Sequence, residues 1–264
     1  MIHDDLNALL PAVIVIAKEA GAFIRNERAG FQYTHVEIKG LNDLVSYVDK
    51  NSEELIVKGL QHLMPEAGFI VEENTATQKK EYNWIVDPLD GTTNFVHGIP
   101  CYSVSIALEY KNTILLGVVY EVNRDECFYA LKDGGAFLNG QAIHVSARSS
   151  LSESLIATGF PIYNFDRLDN YLSALSHFMK HTHGLRRIGS AATDLCYLAC
   201  GRVDAFFEYN LSPWDVAAGG LIVKEAGGTV TDFSGGDNWI FGREASCTNT
   251  HLYDAFTKII QENF

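Results

Sequence analysis

The chain has 264 residues, of which 47% are hydrophobic and 20% charged, and a formal net charge of −13. That composition suits one domain or two closely packed halves and excludes a disordered or fibrous chain. The acidity argues against direct nucleic-acid binding and against docking on an anionic membrane; it suits a site built of carboxylates and equally a soluble surface.

The apolar run 9–17 follows Asp4 and Asp5 and ends at Lys18 and Glu19. A secretory leader needs a basic flank, and a membrane span needs a longer run. Leu6, Leu9, Leu10, Val13, Ile16, Ala20, Phe23 and Ile24 instead recur at helical spacing. A long amphipathic first helix is expected, bent near Pro11. Residues 31–40 read as extended chain and loop. A second helix is expected from about Asp49, with Leu55, Ile56, Leu60 and Leu63 on one face and Pro65 as its stop. Short strands at 68–71 and 82–86 flank a polar stretch.

Strands at 102–110, 114–122 and 126–131 follow, with turn signals at Lys111-Asn112 and Asn123-Arg124. Gly134-Gly135 and Asn139-Gly140 punctuate a further hairpin. This pattern is that of an antiparallel meander. From about Ser146 strands and helices alternate: strand 155–158, helices 166–180 and 190–199, strand 203–209, helix 215–226 and strand 229–233. The chain therefore divides into an N-terminal α+β half, 1–145, and a C-terminal α/β half, 146–264.

The five cysteines, Cys101, Cys127, Cys196, Cys200 and Cys247, include no C-x-x-C pair. They read as small buried hydrophobes in a reducing, cytoplasmic setting. His97, His181 and His183 show no metal-ligand spacing.

The stretch Asp87-Pro88-Leu89-Asp90-Gly91-Thr92 follows the apolar strand Trp84-Ile85-Val86. Phosphatases that form an aspartyl-phosphate end a strand in D-x-D-G-T; here Pro88 stands where that nucleophile would be. Two carboxylates and the Leu89 carbonyl on one sharp turn make a hard oxygen cluster that suits Mg²⁺ or Mn²⁺ over zinc. Gly91, Thr92 and Thr93 read as a helix start, whose free N–H groups suit phosphate. An Asx-Pro turn capping a helix is the plainer alternative. Glu72-Glu73 ends the strand before it, where a solvated strand end is the plainer reading, and Asp215 lies in the Trp214-Asp215-Val216-Ala217-Ala218-Gly219 run, where an ordinary N-cap is also possible.

Taken together, these segments resemble the inositol monophosphatase family of metal-dependent phosphatases. Asp87-Pro-Leu-Asp90-Gly-Thr92 matches its D-P-x-D-G-T motif, and Trp214-Asp215-Val-Ala-Ala-Gly219 its W-D-x-A-x-G motif. Glu72-Glu73 matches its G-E-E segment, with Val71 in place of the usual glycine. The likeness runs from the first helix to the last.

The resemblance implies an α/β (α+β) fold, a layered αβαβα sandwich of the inositol monophosphatase and fructose-bisphosphatase type. It implies two to three Mg²⁺ ions per site, with Mn²⁺ possible and Li⁺ and Ca²⁺ inhibitory. Glu72, Asp87 and the Leu89 carbonyl would hold one ion, Asp87, Asp90 and Asp215 a second, and Glu72 with water a weaker third. Gly91 and Thr92 would cradle phosphate. Glu72 and the Thr92–Asp49 pair would orient and deprotonate the attacking water, although Asp49 by itself reads as a helix N-cap. Gly189, Ser190, Ala191 and Glu208 would contact substrate, Glu208 being otherwise a strand-end surface acid. Arg186 and Arg187 are candidates for phosphate or interface contacts. Lys39 falls in the family's mobile loop, where a solvated lysine is the plainer reading.

The implied activity is release of phosphate from inositol 1-phosphate by a homodimer. Alternatives are related sugar, polyol, histidinol or nucleotide phosphates, or a partner of the transcription machinery with residual phosphatase activity.

Overall fold

The structure, a computed structural model, describes residues 3–32, 36–40, 43–76, 78–162 and 164–264. Helix α1 (His3–Gly30) leads through a hairpin, β1 (Val36–Gly40) and β2 (Asp43–Ser46), into α2 (Tyr47–Leu63). Leu6, Val13, Ile16, Ala17, Ala20 and Ile24 form the buried stripe of α1, with Pro11 inside the helix. Residues 6–30 are long and apolar enough to cross a membrane by length and composition, contrary to the expectation from the 9–17 run alone. Here that stripe packs into a core shared with α2 and the first large sheet. Helix α2 starts before Asp49, because Ser46 is its N-cap; Asp49 sits at the third helical position and closes a capping box back onto Ser46.

The first large sheet has seven strands in the order β3-β4-β5-β6-β7-β8-β9. These are β3 (Gly68–Val71), β4 (Tyr82–Asp90), β5 (Ser103–Tyr110), β6 (Thr113–Glu121), β7 (Glu126–Leu131), β8 (Ala136–Leu138) and β9 (Gln141–Ile143). Only β3–β4 is parallel; the rest is the expected meander. Short helix α3 (Thr92–His97) follows β4. The sharp turn expected after Val86 is instead a bulge. Strand β4 continues through Pro88, pairing Asp87 with Ser105 and Asp90 with Ser103 around a register shift. A bulge is where a strand tolerates proline, and it re-aims the side chains beside it.

The second sheet has five strands in the order β11-β10-β12-β14-β13. The elements in chain order are β10 (Leu155–Thr158), α4 (Leu168–His181), β11 (Gly184–Arg186), α5 (Ala191–Ala199), β12 (Ala205–Tyr209), α6 (Pro213–Glu225), β13 (Gly228–Thr231), β14 (Glu244–Asn249) and α7 (Tyr253–Asn263). Strands β11, β10 and β12 run parallel, while β14 is antiparallel to both its neighbours.

Three hydrophobic cores separate the layers. One lies between α1, α2 and the seven-stranded sheet. A second surrounds α5 and α6 and takes side chains from both sheets. The third lies between the five-stranded sheet and α4 and α7. The order is thus helix, sheet, helix, sheet, helix, the αβαβα sandwich. The middle layer explains the small residues of α6, since a helix buried on all sides must be apolar all round. Its close approach is visible at Gly117 of β6, where a Cβ would stand 2.8 Å from the Ala218 carbonyl oxygen.

Candidate active site

Strands β3 and β4 are parallel neighbours with Val71 opposite Val86, so their ends deliver Glu72 and Asp87 to the same edge of the sheet. The Glu72 N–H donates to the Val86 carbonyl at 3.3 Å, which ties the two ends together. Across the bulge, the Leu89 N–H donates to Asp87 Oδ1 at 2.9 Å. Asp87, Leu89 and Asp90 are buried. Gly91 then turns the chain with a φ of 96°. A Cβ there would meet the Gly189 carbonyl oxygen at 3.0 Å and that of Cys101 at 3.1 Å, so both conformation and space call for glycine.

Thr92 opens α3. Its hydroxyl lies 2.9 Å from Asp49 Oδ1 and 3.0 Å from the Leu89 carbonyl oxygen, within donating reach of both. Asp49 also accepts from the Ser46 N–H at 2.8 Å and the Ser46 hydroxyl at 2.7 Å. Burial raises the Asp49 pKa above the usual carboxylate value, and these hydrogen bonds partly offset it.

The opposite wall comes from the second half of the chain. Asp90 Oδ2 accepts from the Ser190 hydroxyl and from the Ala192 N–H, each at 2.7 Å, so the start of α5 is fastened to the end of β4. Ser190 is the N-cap of α5, as its position before the helix implies. Asp215 is at the third position of α6, not its N-cap; Ser212 is the cap, and its N–H donates to Asp215 Oδ2 at 2.6 Å. Glu208 projects from β12 as a half-buried residue of the same wall.

The walls enclose a cleft of about 980 Å³, open mouth included. It is lined by Glu72, Asp87, Leu89, Asp90, Gly91 and Thr92 on one side and by Gly189, Ser190, Ala191, Glu208 and Asp215 on the other. Asp49 lies behind Thr92, outside the lining but bonded to it. The Lys39 side chain lies outside the described ones.

Two lining residues stand out beyond those expected. Asp194, four residues after Ser190 and so on the same face of α5, is buried, and its Oδ1 has no hydrogen-bond partner. The legible signal was an acid inside the otherwise apolar run 191–199. Arg187, expected only as a possible contact, is the one basic side chain among the described residues lining the cleft, and its guanidinium stacks 5.3 Å from the Phe160 ring.

The charge balance tests whether an ion fits. Burial raises the Asp87 pKa well above the usual carboxylate value, and the charges of Glu72, Asp90 and Asp215 raise it further. Burial also lifts Asp90 to about 6, against hydrogen bonds from Ser190, Ala192 and Ala191 that favour its anion. Asp215 is lifted to about 7 by burial and by the Asp90 charge. Glu208 and Asp194 rise well above the carboxylate range, again through burial and neighbouring acids. Such a set of crowded, oxygen-only donors fits a hard divalent cation. Among the described residues no three His, Cys, Asp or Glu side chains close into a cage. An open arrangement suits Mg²⁺, which keeps several waters and takes one or two carboxylates together with substrate phosphate.

The model of the Inositol monophosphatase family matches residues 5–263. A protein named putative Nus factor SuhB from Neisseria meningitidis serogroup B is 42% identical over 257 residues, 97% of this chain and 98% of that one. An inositol-1-monophosphatase from Mesorhizobium japonicum is 39% identical, covering 97% of each chain. The crystal structure of extragenic suppressor protein suhB from Bartonella henselae superposes with a TM-score of 0.92 at 39% identity, over 97% of this chain and 100% of that one.

Proposed function

The chain belongs to the inositol monophosphatase family and is a phosphatase, and we propose that its cleft hydrolyses inositol 1-phosphate by direct attack of water, with Mg²⁺ as cofactor. The observation that carries this reading is the convergence of Glu72, Asp87, Asp90 and Asp215 on one cleft beside Gly91 and Thr92. Glu72, Asp87, the Leu89 carbonyl, Asp90 and Asp215 would hold two to three ions. Bound Mg²⁺ supplies neutralisation of phosphoryl charge and a lowered pKa for water.

The chain's own groups do the rest. The backbone at Gly91 and Thr92 receives the phosphate oxygens. Thr92, its proton directed to Asp49 or the Leu89 carbonyl, keeps a lone pair for the attacking water. Glu72 on the neighbouring strand end accepts that water's proton. Gly189, Ala191 and Glu208 face the polyol, with Glu208 accepting from its hydroxyls. Ser190 contributes differently, since its hydroxyl bonds Asp90 and Thr193 and so positions the acid.

Attack by water on phosphorus in line with the leaving group is a single displacement, which inverts configuration. Turnover of a chiral phosphate ester should therefore invert at phosphorus, and acid quenching should trap no acyl-phosphate. A stoichiometric phosphoprotein on Asp87 or Asp90 would overturn the mechanism. Phosphate release measured over a panel of inositol, sugar, histidinol and nucleotide monophosphates tests the substrate. We also propose inhibition by Li⁺ and excess Ca²⁺, support by Mn²⁺, a homodimer, and a cytoplasmic setting; the five free cysteines support the last.

A second reading is favoured by the names of relatives. Proteins called Nus factor SuhB match over as much of the chain as those called inositol-1-monophosphatase. We propose that a role with the transcription machinery would be separable from hydrolysis. Pull-down with wild type and with Asp90→Asn separates the two: capture by both proteins supports a second role, and capture by neither removes it.

A further inference from the structure

Helix α2 carries three polar side chains that are almost wholly shielded from solvent: Asp49, Ser52 and Glu53. Their spacing of three and four residues places them on one face of the helix. Each reaches a different stretch of the cleft's sheet side. Asp49 meets the Thr92 hydroxyl. The Ser52 hydroxyl donates to the Pro88 carbonyl at 3.1 Å. Glu53 accepts from two backbone groups of the chain after β3: the Glu73 N–H at 2.7 Å on Oε2, and the Thr75 N–H at 2.8 Å on Oε1.

Glu53 does not line the cleft. A carboxylate is a costly group to bury unless hydrogen bonds compensate it, so its two bonds call for an explanation. The segment that it holds begins where β3 ends at Val71. Asn74 there adopts a left-handed φ of 58°, and Thr75 belongs to no strand. Glu72 sits at the root of this segment, beside Asp87.

We propose that Glu53 is a positioning residue, which clamps the backbone N–H groups of Glu73 and Thr75 and thereby holds the Glu72 carboxylate in the cleft beside Asp87. With Ser52 on the Pro88 carbonyl and Asp49 on Thr92, the stripe on α2 holds the Glu72 segment, the β4 bulge and the start of α3 in one frame. The inference rests on the role of Glu72 given above.

The test uses Glu53→Gln, Glu53→Ala and, as a control, Glu54→Gln at the exposed neighbour. Glutamine keeps the size of the side chain but presents an NH₂ to one of the two loop donors, so one clamp bond is lost. In wild type, the amide hydrogens of Glu73 and Thr75 should be protected from exchange although neither residue lies in a strand. In Glu53→Gln their exchange should accelerate about tenfold, and Mn²⁺ affinity, read by electron paramagnetic resonance without substrate, should fall about 10- to 100-fold. The Mg²⁺ needed for half-maximal activity should rise in parallel, with KM for inositol 1-phosphate nearly unchanged. A residue that only stabilised the fold would lower Tm and leave the Mn²⁺ affinity where it was.

Unprotected amides at 73 and 75 in wild type overturn the clamp, and that measurement stands even if both Glu53 variants fail to fold. Wild-type Mn²⁺ affinity in folded Glu53→Gln overturns the positioning role. Full activity in Glu72→Gln removes the premise instead, and leaves the exchange result to report on the clamp alone.

Discussion

Glu72, Asp87, Asp90 and Thr92 reach the cleft from the ends of two adjacent strands and the turn that follows, whereas Ser190, Asp194, Glu208 and Asp215 come from two helix starts and a strand of the other sheet. The first set is held by backbone pairing within one sheet, with a bulge to aim it. The second depends on how α5 and α6 pack between the sheets. Asp90 joins the two, because its carboxylate accepts from the start of α5. The sheet side therefore carries most of the groups proposed for ion, phosphate and water, while the helix side adds Asp215 to the ions, Ser190 as the support of Asp90, and Glu208 for the rest of the substrate. Discrimination among esters would then rest on the wall assembled by packing.

The largest effect is expected from loss of an ion-holding acid, one from each wall. Asp90→Asn and Asp215→Asn should each lower kcat about 10²- to 10³-fold or more, the scale lost with a group that stabilises charge in the transition state. Circular dichroism should report an intact fold in both. Near-normal turnover by either variant at low Mg²⁺ would remove it from the ion-holding set.

Chelation probes the crowding of the acids without a mutation. In the metal-free protein Asp90 ionises at about 6 and Asp215 at about 7, both above the ordinary 3.8. Between those values the folded chain keeps protons that the unfolded chain has released, so stability should fall as pH rises from about 4 through about 7. Added Mg²⁺ should restore it above that window, because the ion replaces the lost protons. Thermal melts from about pH 5 to about pH 8, with and without chelator, would read this. A Tm that climbs with pH in the chelated protein contradicts the proposed crowding.

Glu208→Ala should act on one side only. Turnover of an aryl phosphate, which has no polyol hydroxyls, should change little. Inositol 1-phosphate should lose about 1–3 kcal/mol of transition-state binding, the loss that follows when a buried hydrogen-bond partner is removed. Equal losses on both substrates would make Glu208 a structural acid.

The smallest effect is expected at the joint between the walls. Ser190→Ala removes the hydroxyl donor to Asp90 Oδ2 and leaves the Ala192 N–H in place. A decrease of about tenfold in Mg²⁺ affinity with little change in KM is expected, as for a group that orients a ligand. A changed preference among polyol phosphates with unaltered Mg²⁺ affinity would place Ser190 on the substrate side instead.

Much of this was legible in the chain itself. Motif spacing marked most of the acids of both walls, strand-like runs between turn signals marked the meander, and alternating strands and helices marked most of the elements that follow it. Those signals are local: they depend on residues a few positions apart, which one strand or one helix turn brings together. Strand β14 was not among the expected elements: Ala245 and Cys247 alternate with Glu244, Ser246 and Thr248, but the run holds no Val, Ile or aromatic residue to mark it as a strand. Helix α7 does carry helical spacing at Phe256, Ile259 and Ile260, and its absence from the expected elements had no such excuse.

What only the tertiary structure decided are the contacts made across long separations. Asp49 and Asp215 read alike as helix caps, yet each is the third helical residue reaching back to a serine. The partners of Glu53 are loop N–H groups that follow a different element, and those of Asp90 lie on a helix from the other half of the chain. No short-range pattern marks such pairs, because a buried polar group is satisfied by whatever donor the packing brings within hydrogen-bond distance. The sequence by itself therefore determined which acids are present and the family to which the chain belongs. The packing of two sheets about α5 and α6 decided which of those acids face one another, since that close approach is what removes them from water and makes their charges interact.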